Sequence, residues 1–267
     1  MPAEPFDLTE VLPVLAGNGW RGMARRSLER LLGLGKVREA FRHAAAESGE
    51  AFTEAFKAFG LQVDAPGFAE AVPSTGPVIV MANHPFGGAD ALALGSLCRT
   101  HRPDSLLLAN RMTADIPGIG PLTIPLSILN EDAAARDNAR SLRAALQHLR
   151  GGGLLACFPS GEVASLREGR VSEGPWSPHM AALALKTQAT LVVVSFPGQA
   201  PDWFHQAGKL HPMVRTALLP RVLLSMHGQT ISCRTSNIAF EEIAAMRPEA
   251  LAMHLRERAI GSAPPSL

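Results

Sequence analysis

The stretch Val78-Ile-Val-Met-Ala-Asn-His-Pro-Phe-Gly-Gly-Ala-Asp90 decides how the rest of the chain is read. Residues 78–82 are apolar without alternation, which reads as a strand buried on both faces. A loop over 83–90 follows, and Ala91 to Cys98 reads as a helix with Asp90 at its N-cap. A buried strand feeding a helix through a short loop is the unit of a parallel sheet.

The pattern repeats downstream. Leu106-Leu-Leu-Ala109 is a second strand, and 116–121 is a loop. Ile124 to Leu129 is a short strand interrupted by Pro125. Asp132 to Arg150 is a helix whose stripe is Ala135, Ala139, Leu142, Leu146 and Leu149, stopped by Gly151-Gly-Gly153. Leu154 to Phe158 is a strand running into Pro159-Ser-Gly-Glu162. His179 to Thr187 is a helix, and Thr190 to Phe196 is the strongest strand. Val222 to Met226 and Thr230 to Arg234 are expected to form a hairpin around His227-Gly-Gln229, with one or two helices from Phe240 to Ile260. The expected fold is therefore α/β, a mostly parallel sheet flanked by helices, with an N-terminal helical extension.

Working back toward the start, 6–60 reads as helical. Leu28, Leu31, Leu32, Phe41, Phe52, Phe56 and Phe59 recur at helical steps, with breaks at Gly33 and Gly35. The turn-rich 72–77 divides a helical region, 1–72, from an α/β domain, 73–267. Arg21, Arg25, Arg26, Arg30, Lys36, Arg38 and Arg42 face only Glu29 and Glu39. A basic amphipathic helix of this kind docks on an anionic membrane surface; the same pattern also fits a solvated face packed on the main domain.

Composition narrows the function. The 267 residues carry a net charge of +1 and no Tyr, which argues against a nucleic-acid partner. Cys98, Cys157 and Cys233 are far apart and form no Cys-x-x-Cys pair, so they read as buried, reduced thiols and not as a zinc site. The nine histidines show no metal-ligand spacing, so no metal is expected. The first residues lack a basic start and apolar run, so no signal peptide is expected. No stretch reaches the about 18 apolar residues of a spanning helix.

Sites in parallel sheets form outside the carboxyl ends of strands, and both polar loops, 83–90 and 159–165, follow strands. His84 is a suitable general base near neutral pH, and a carboxylate on its other nitrogen would fix the tautomer. Gly87 and Gly88 let the loop fold back far enough for contact with Asp90. Taken alone, the pair reads more readily as a capping and turn arrangement. Ser160 invites a nucleophile reading and an α/β hydrolase, but that elbow needs Gly two residues before and after the Ser. Phe158 and Glu162 stand there. Glu162 reads either as a site carboxylate or as a turn residue capped by amides.

Together, Asn83-His-Pro-Phe-Gly-Gly-Ala-Asp90 and Phe158-Pro-Ser-Gly-Glu-Val-Ala-Ser165 resemble the glycerolipid (1-acylglycerol-3-phosphate) acyltransferase superfamily. Its first motif is Asn-His-x-x-x-x-Asp and its third Phe-Pro-Glu-Gly-Thr-Arg-Ser. The sequence is more similar to the bacterial hemolysin-like branch, with Asn-His-Pro-x-Gly-Gly-x-Asp and Phe-Pro-x-Gly-Glu-Val-Ser, which includes O-acyltransferases that finish ornithine or glycine lipids. Gly151-Gly-Gly153, Trp176 and Ser195-Phe-Pro-Gly198 fall where that branch has similar features. Two departures stand out. Five residues separate His84 from Asp90, and Ser160 stands where the wider family has Glu. The second motif's arginine has two candidates, Arg111 and Arg136.

The resemblance implies transfer of a fatty acyl group from an acyl-CoA or acyl-carrier-protein thioester to a lysolipid hydroxyl, with no other cofactor. His84 would be the base and Asp90 its orienter. Main-chain N–H groups near Gly87-Gly88 or Gly161 would hold the oxyanion. Asn83, Ser160, Glu162 and an arginine, Arg111 foremost with Arg167 and Arg170, would contact substrate. A lysophosphatidic acid acyltransferase is the rival activity, and a lipid-binding protein with a dead site the rival from another class. Acting on lipid implies a peripheral place on the inner face of the cell membrane, with docking helped by apolar residues at Leu122-Thr-Ile-Pro-Leu126 or Met213 to Leu219.

Overall fold

A computed structural model of the chain describes residues 6–127, 131–208 and 212–261. The chain opens with α1 (Leu8–Val11), α2 (Trp20–Leu32), α3 (Leu34–Ala46), α4 (Ala51–Ala58), β1 (Gln62–Asp64) and α5 (Phe68–Ala71). The alternating part runs β2 (Val78–Ala82), α6 (Gly88–His101), β3 (Leu106–Asn110), β4 (Thr123–Leu126), α7 (Glu131–Arg150) and β5 (Leu154–Cys157). A hairpin, β6 (Ser165–Arg167) and β7 (Arg170–Ser172), precedes α8 (Pro178–Thr187) and β8 (Thr190–Ser195). The chain then forms α9 (Asp202–Gly208), α10 (Pro212–Ser225), β9 (Thr230–Ser232), β10 (Arg234–Ile238), α11 (Phe240–Ile243) and α12 (Pro248–Gly261).

Among the described residues the main sheet has the order β10-β8-β2-β5-β3-β4, parallel except for β10 at one edge. The mostly parallel α/β architecture read from the sequence is the one observed. β2 lies at the centre because every residue from Val78 to Ala82 is buried, so both faces must be covered. One face carries α4 and α6 with Phe52, Phe56, Leu92 and Leu94, and the other carries α7, α8 and α12 with Leu149, Met180 and Leu255. The helices ahead of residue 72 share the first of these clusters with the sheet: Val37, Phe41 and Phe59 pack there beside Val80 and Val192.

Several local expectations are corrected. The anticipated hairpin of 222–226 with 230–234 does not form. Val222 to Ser225 ends α10, Thr230–Ser232 pairs in parallel with Gln62–Asp64, and Arg234–Ile238 lies antiparallel on β8. A short apolar run fits a buried helix as well as a strand, and here it ends a helix whose Leu223 lies against Gly88. The N-terminal helices break at Gly33, in the left-handed region at φ +72°, but Gly35 stays inside α3. β4 ends at Leu126, and Ile128 and Leu129 of the expected strand lie outside the described residues, as does the side chain of Ala135. Among the described residues, no helix is long and apolar enough to cross a membrane.

Candidate active site

The two loops meet because their strands are neighbours. β2 pairs with β5 on one side and β8 on the other, so 83, 158 and 196 emerge side by side at the carboxyl edge. The ends are tied. The Asn83 side-chain amide donates to the Phe196 carbonyl at 2.8 Å, and its oxygen accepts from the Phe196 N–H at 2.7 Å. The N–H of Ala164 donates to the His84 carbonyl at 2.8 Å, which joins the two loops directly.

Asp90 is not the N-cap. Gly87 caps α6, and Asp90 lies in the helix's first turn, fully buried. Its carboxylate accepts from the main-chain N–H of Phe86 at 2.8 Å and of Ala91 at 2.9 Å. The carboxylate thus lies at the positive end of the helix dipole. His84 Nδ1 lies 3.0 Å from Asp90 Oδ1, so the pair closes across the five-residue spacing. The ring N–H does not point along that line, so this is an ion-pair contact rather than an aligned hydrogen bond. Such bonds often tighten only when substrate arrives.

The turn that permits the contact uses Gly87 at φ +83°, ψ −104°, a conformation that suits glycine. A Cβ there would also stand 2.7 Å from Leu219 Cδ2 of α10, and one at Gly88 3.2 Å from Leu223 Cδ2. The helix therefore lies directly on the two glycines.

The imidazole is stacked on Phe158, ring centres 4.0 Å apart. Burial by itself lowers the His84 pKa; the negative charge and close contact of Asp90, with the charge of Glu173, outweigh it and hold the ring above its ordinary 6.5. Glu173 accepts the His84 main-chain N–H at 3.1 Å.

The second loop brings Glu162 to two cations. Arg167 of the hairpin bonds one oxygen, and Arg215 of α10 reaches the other at 3.2 Å. Ser160 turns away into its own loop, its hydroxyl donating to the Glu162 carbonyl at 2.9 Å. The Gly161 N–H is bonded to the Phe158 carbonyl at 3.0 Å and so belongs to a turn. Both amide ends of Asn83 are engaged by Phe196, so that side chain ties strands together.

Arg111 is exposed on the 3-10 turn after β3, two strands from β2, while Arg136 and Arg170 are exposed elsewhere. Among the described residues no hydrogen bond, ion pair or ring contact joins these three to the histidine. Glu173 and Arg215 were not singled out in the sequence; neither belongs to a local pattern, and the only hint was Trp176, whose indole N–H donates to Glu173 at 3.2 Å. The three cysteines are buried, and burial pushes Cys157 up to about 12 and Cys233 to about 11, so they remain thiols. Among the described residues no three His, Cys, Asp or Glu converge as metal ligands.

A family model described as Acyltransferase matches residues 67–196, the segment that holds both loops. A lyso-glycine lipid O-acyltransferase of Phocaeicola vulgatus is 22% identical over 210 residues, covering 77% of this chain and 73% of the relative. A second lyso-glycine lipid O-acyltransferase, from Bacteroides thetaiotaomicron, is 25% identical over 137 residues, 51% of this chain and 48% of that protein. The crystal structure of the 1-acyl-sn-glycerophosphate (LPA) acyltransferase PlsC from Thermotoga maritima superposes with a TM-score of 0.52 at 16% identity. It covers 90% of this chain and 95% of the other, which shows a shared fold. The family match and the two relatives named as O-acyltransferases indicate an acyl-transferring enzyme, and the His84–Asp90 pair lies within the matched segment. The matched segment is similar to the Acyltransferase family, and together with the two relatives it supports a place in the glycerolipid acyltransferase superfamily.

Proposed function

We propose that the protein moves a fatty acyl group from an acyl-CoA or acyl-carrier-protein thioester to the hydroxyl of a lysolipid, with His84 as general base. The observation that carries this reading is the 3.0 Å contact of His84 Nδ1 with the buried Asp90. The other nitrogen, Nε2, takes the acceptor's hydroxyl proton as its oxygen attacks the thioester carbonyl. The tetrahedral oxyanion then collapses, breaking the carbon–sulfur bond, and the imidazolium returns the proton to the thiolate. No acyl-enzyme is required. Asp90 orients the ring and stabilises the imidazolium. With Gly161 tied into a turn, the main-chain N–H groups of Gly87 and Gly88 at the start of α6 would serve as the oxyanion donors.

The acceptor reading follows the two curated relatives, whose names give a lyso-glycine lipid. Such a lipid presents a carboxylate, and Arg167 and Arg215 are cations of the right chemistry beside the second loop. The same pair suits a phosphate, so a lysophosphatidic acid acyltransferase is the second reading.

A membrane surface is part of the proposal. Trp20, Met23 and Leu31 of α2 are each about two-thirds exposed, with Val14 just before them. On a helical wheel Trp20 and Leu31 share one direction with Met23 beside them, and Arg21, Arg26 and Arg30 flank that face. By contrast the segments 122–126 and 213–219 serve packing: Ile124 and Ala217 are buried, and Leu219 covers Gly87.

The test is to incubate purified protein and its His84→Ala variant with long-chain acyl thioesters and a panel of lysolipids, including lyso-glycine lipid and lysophosphatidic acid, and to weigh the products. The expected result is an acylated lyso-aminolipid from the wild type and a loss of about 10²- to 10⁴-fold in kcat for His84→Ala. An active His84→Ala variant would sink the mechanism.

A further inference from the structure

Beside the histidine stands a buried carboxylate that the mechanism above does not use. Glu173 follows β7 and is 5% exposed. Its two oxygens divide two donors. Oε2 accepts the His84 main-chain N–H at 3.1 Å, and Oε1 accepts the Trp176 indole N–H at 3.2 Å. Among the described residues no cation pairs with this carboxylate. Instead Arg256 of α12 binds the main chain around it, donating to the Glu173 carbonyl at 2.6 Å and the Gly174 carbonyl at 2.8 Å. The next residue packs on the second loop: a Cβ at Gly174 would meet Glu162 Oε1 at 2.7 Å.

Burying a charge without an ion pair is costly, and a neutral amide could not replace it cleanly. Glutamine has one acceptor oxygen and would turn an NH₂ toward the second donor. The carboxylate is thus matched to two donors, one of which is the backbone of the proposed base.

We propose that Glu173 is a positioning residue for acyl transfer: it fixes the main chain of His84 from the hairpin side and adds negative charge that favours the imidazolium formed when the acceptor hydroxyl loses its proton. This rests on the reading of His84 as the base. The charges around the imidazole are Asp90 from α6 and Glu173 from the end of β7. Arg256 of α12 lies behind Glu173, and Glu162 with Arg167 and Arg215 occupies the loop after β5. Against burial, which lowers it, Asp90 and then Glu173 raise the pKa of the ring.

The experiment compares Glu173→Gln, Trp176→Phe and the double variant with wild type and His84→Ala, reading kcat, KM, thermal unfolding and the pH profile of kcat/KM. Glu173→Gln should lower kcat about tenfold or more with little change in KM, as loss of an outer-shell partner does. Its acid limb should move to lower pH. The double variant removes the second donor, so the glutamine oxygen can face the His84 N–H; it should recover most of kcat yet keep the displaced limb, because the charge is still missing. Trp176→Phe alone should keep the wild-type limb. A limb at the wild-type position in both glutamine variants overturns the inference, as does loss of folded protein in both, which would make Glu173 a stability residue only. If His84→Ala is active, the base assignment fails first; if it is inactive while the limb stays put, only the role of Glu173 fails.

Discussion

The carboxylate of Asp90 reaches back across five intervening residues to within 3.0 Å of the imidazole of His84. The reach depends on α6 starting at Gly88, which puts Asp90 in the first turn with its side chain toward the strand end. Asp90→Asn keeps the size but replaces an acceptor by an N–H facing Nδ1, which favours the tautomer with its proton on Nε2. That form cannot accept the acceptor's proton. The expected loss in kcat is about 10²- to 10⁴-fold, with KM changed far less, in steady-state assays.

The pH dependence has a definite sign. Neutral His84 is the base, and its folded pKa lies above 6.5. The acid limb of kcat/KM should therefore fall above pH 6.5. Stability runs the other way: a raised folded pKa adds stability below the unfolded value, and that addition is lost as pH rises through the folded value. The gap in melting temperature between wild type and His84→Ala, compared from pH 5 to pH 9 by calorimetry (about four units spanning the titration), should narrow toward the alkaline end.

Gly87→Ala meets two obstacles, a left-handed backbone at φ +83° and Leu219 Cδ2 at 2.7 Å. The backbone strain alone is on the order of 1–3 kcal/mol. Adding Leu219→Ala removes the clash and leaves the strain, so denaturant unfolding should show the double variant to be less destabilised than the sum of the single changes. Full additivity would show that Leu219 yields freely.

Asn83→Ala leaves the buried N–H and carbonyl of Phe196 without their partners. Each unsatisfied group costs about 1–3 kcal/mol, so the change should appear chiefly in chemical denaturation. Because the Asn83 amide is engaged by the main chain, KM for the acceptor should move little in the protein that remains folded.

Replacing Trp20, Met23 and Leu31 by Ser removes exposed apolar area without opening the core, since all three face outward. Co-sedimentation with anionic phospholipid vesicles should weaken at least tenfold, on the order of the roughly 1.4 kcal/mol that a buried aromatic or aliphatic side chain easily supplies. The melting temperature should stay near that of wild type. Unchanged sedimentation would remove α2 from the docking surface.

Much of this architecture was legible in the sequence because its causes are local. A continuous apolar run at 78–82, a helical stripe from 139 to 149 and glycines at 151–153 each state their own structure through periodicity and backbone freedom. The His84–Asp90 pair was legible for the same reason: both residues lie on one strand–loop–helix unit. Only the tertiary structure decided which segments pair across the chain. The Val222 to Met226 run suits helix or strand equally, and in the fold it ends α10 with Leu223 against Gly88; β1 found β9 across more than half the sequence. Glu173 is the clearest case. It stands 89 positions from His84, and Trp176 is the one sequence feature near it that hints at a site. A hydrogen bond and a buried charge are properties of distance in space, and that distance exists only once β2, β5 and β8 lie side by side.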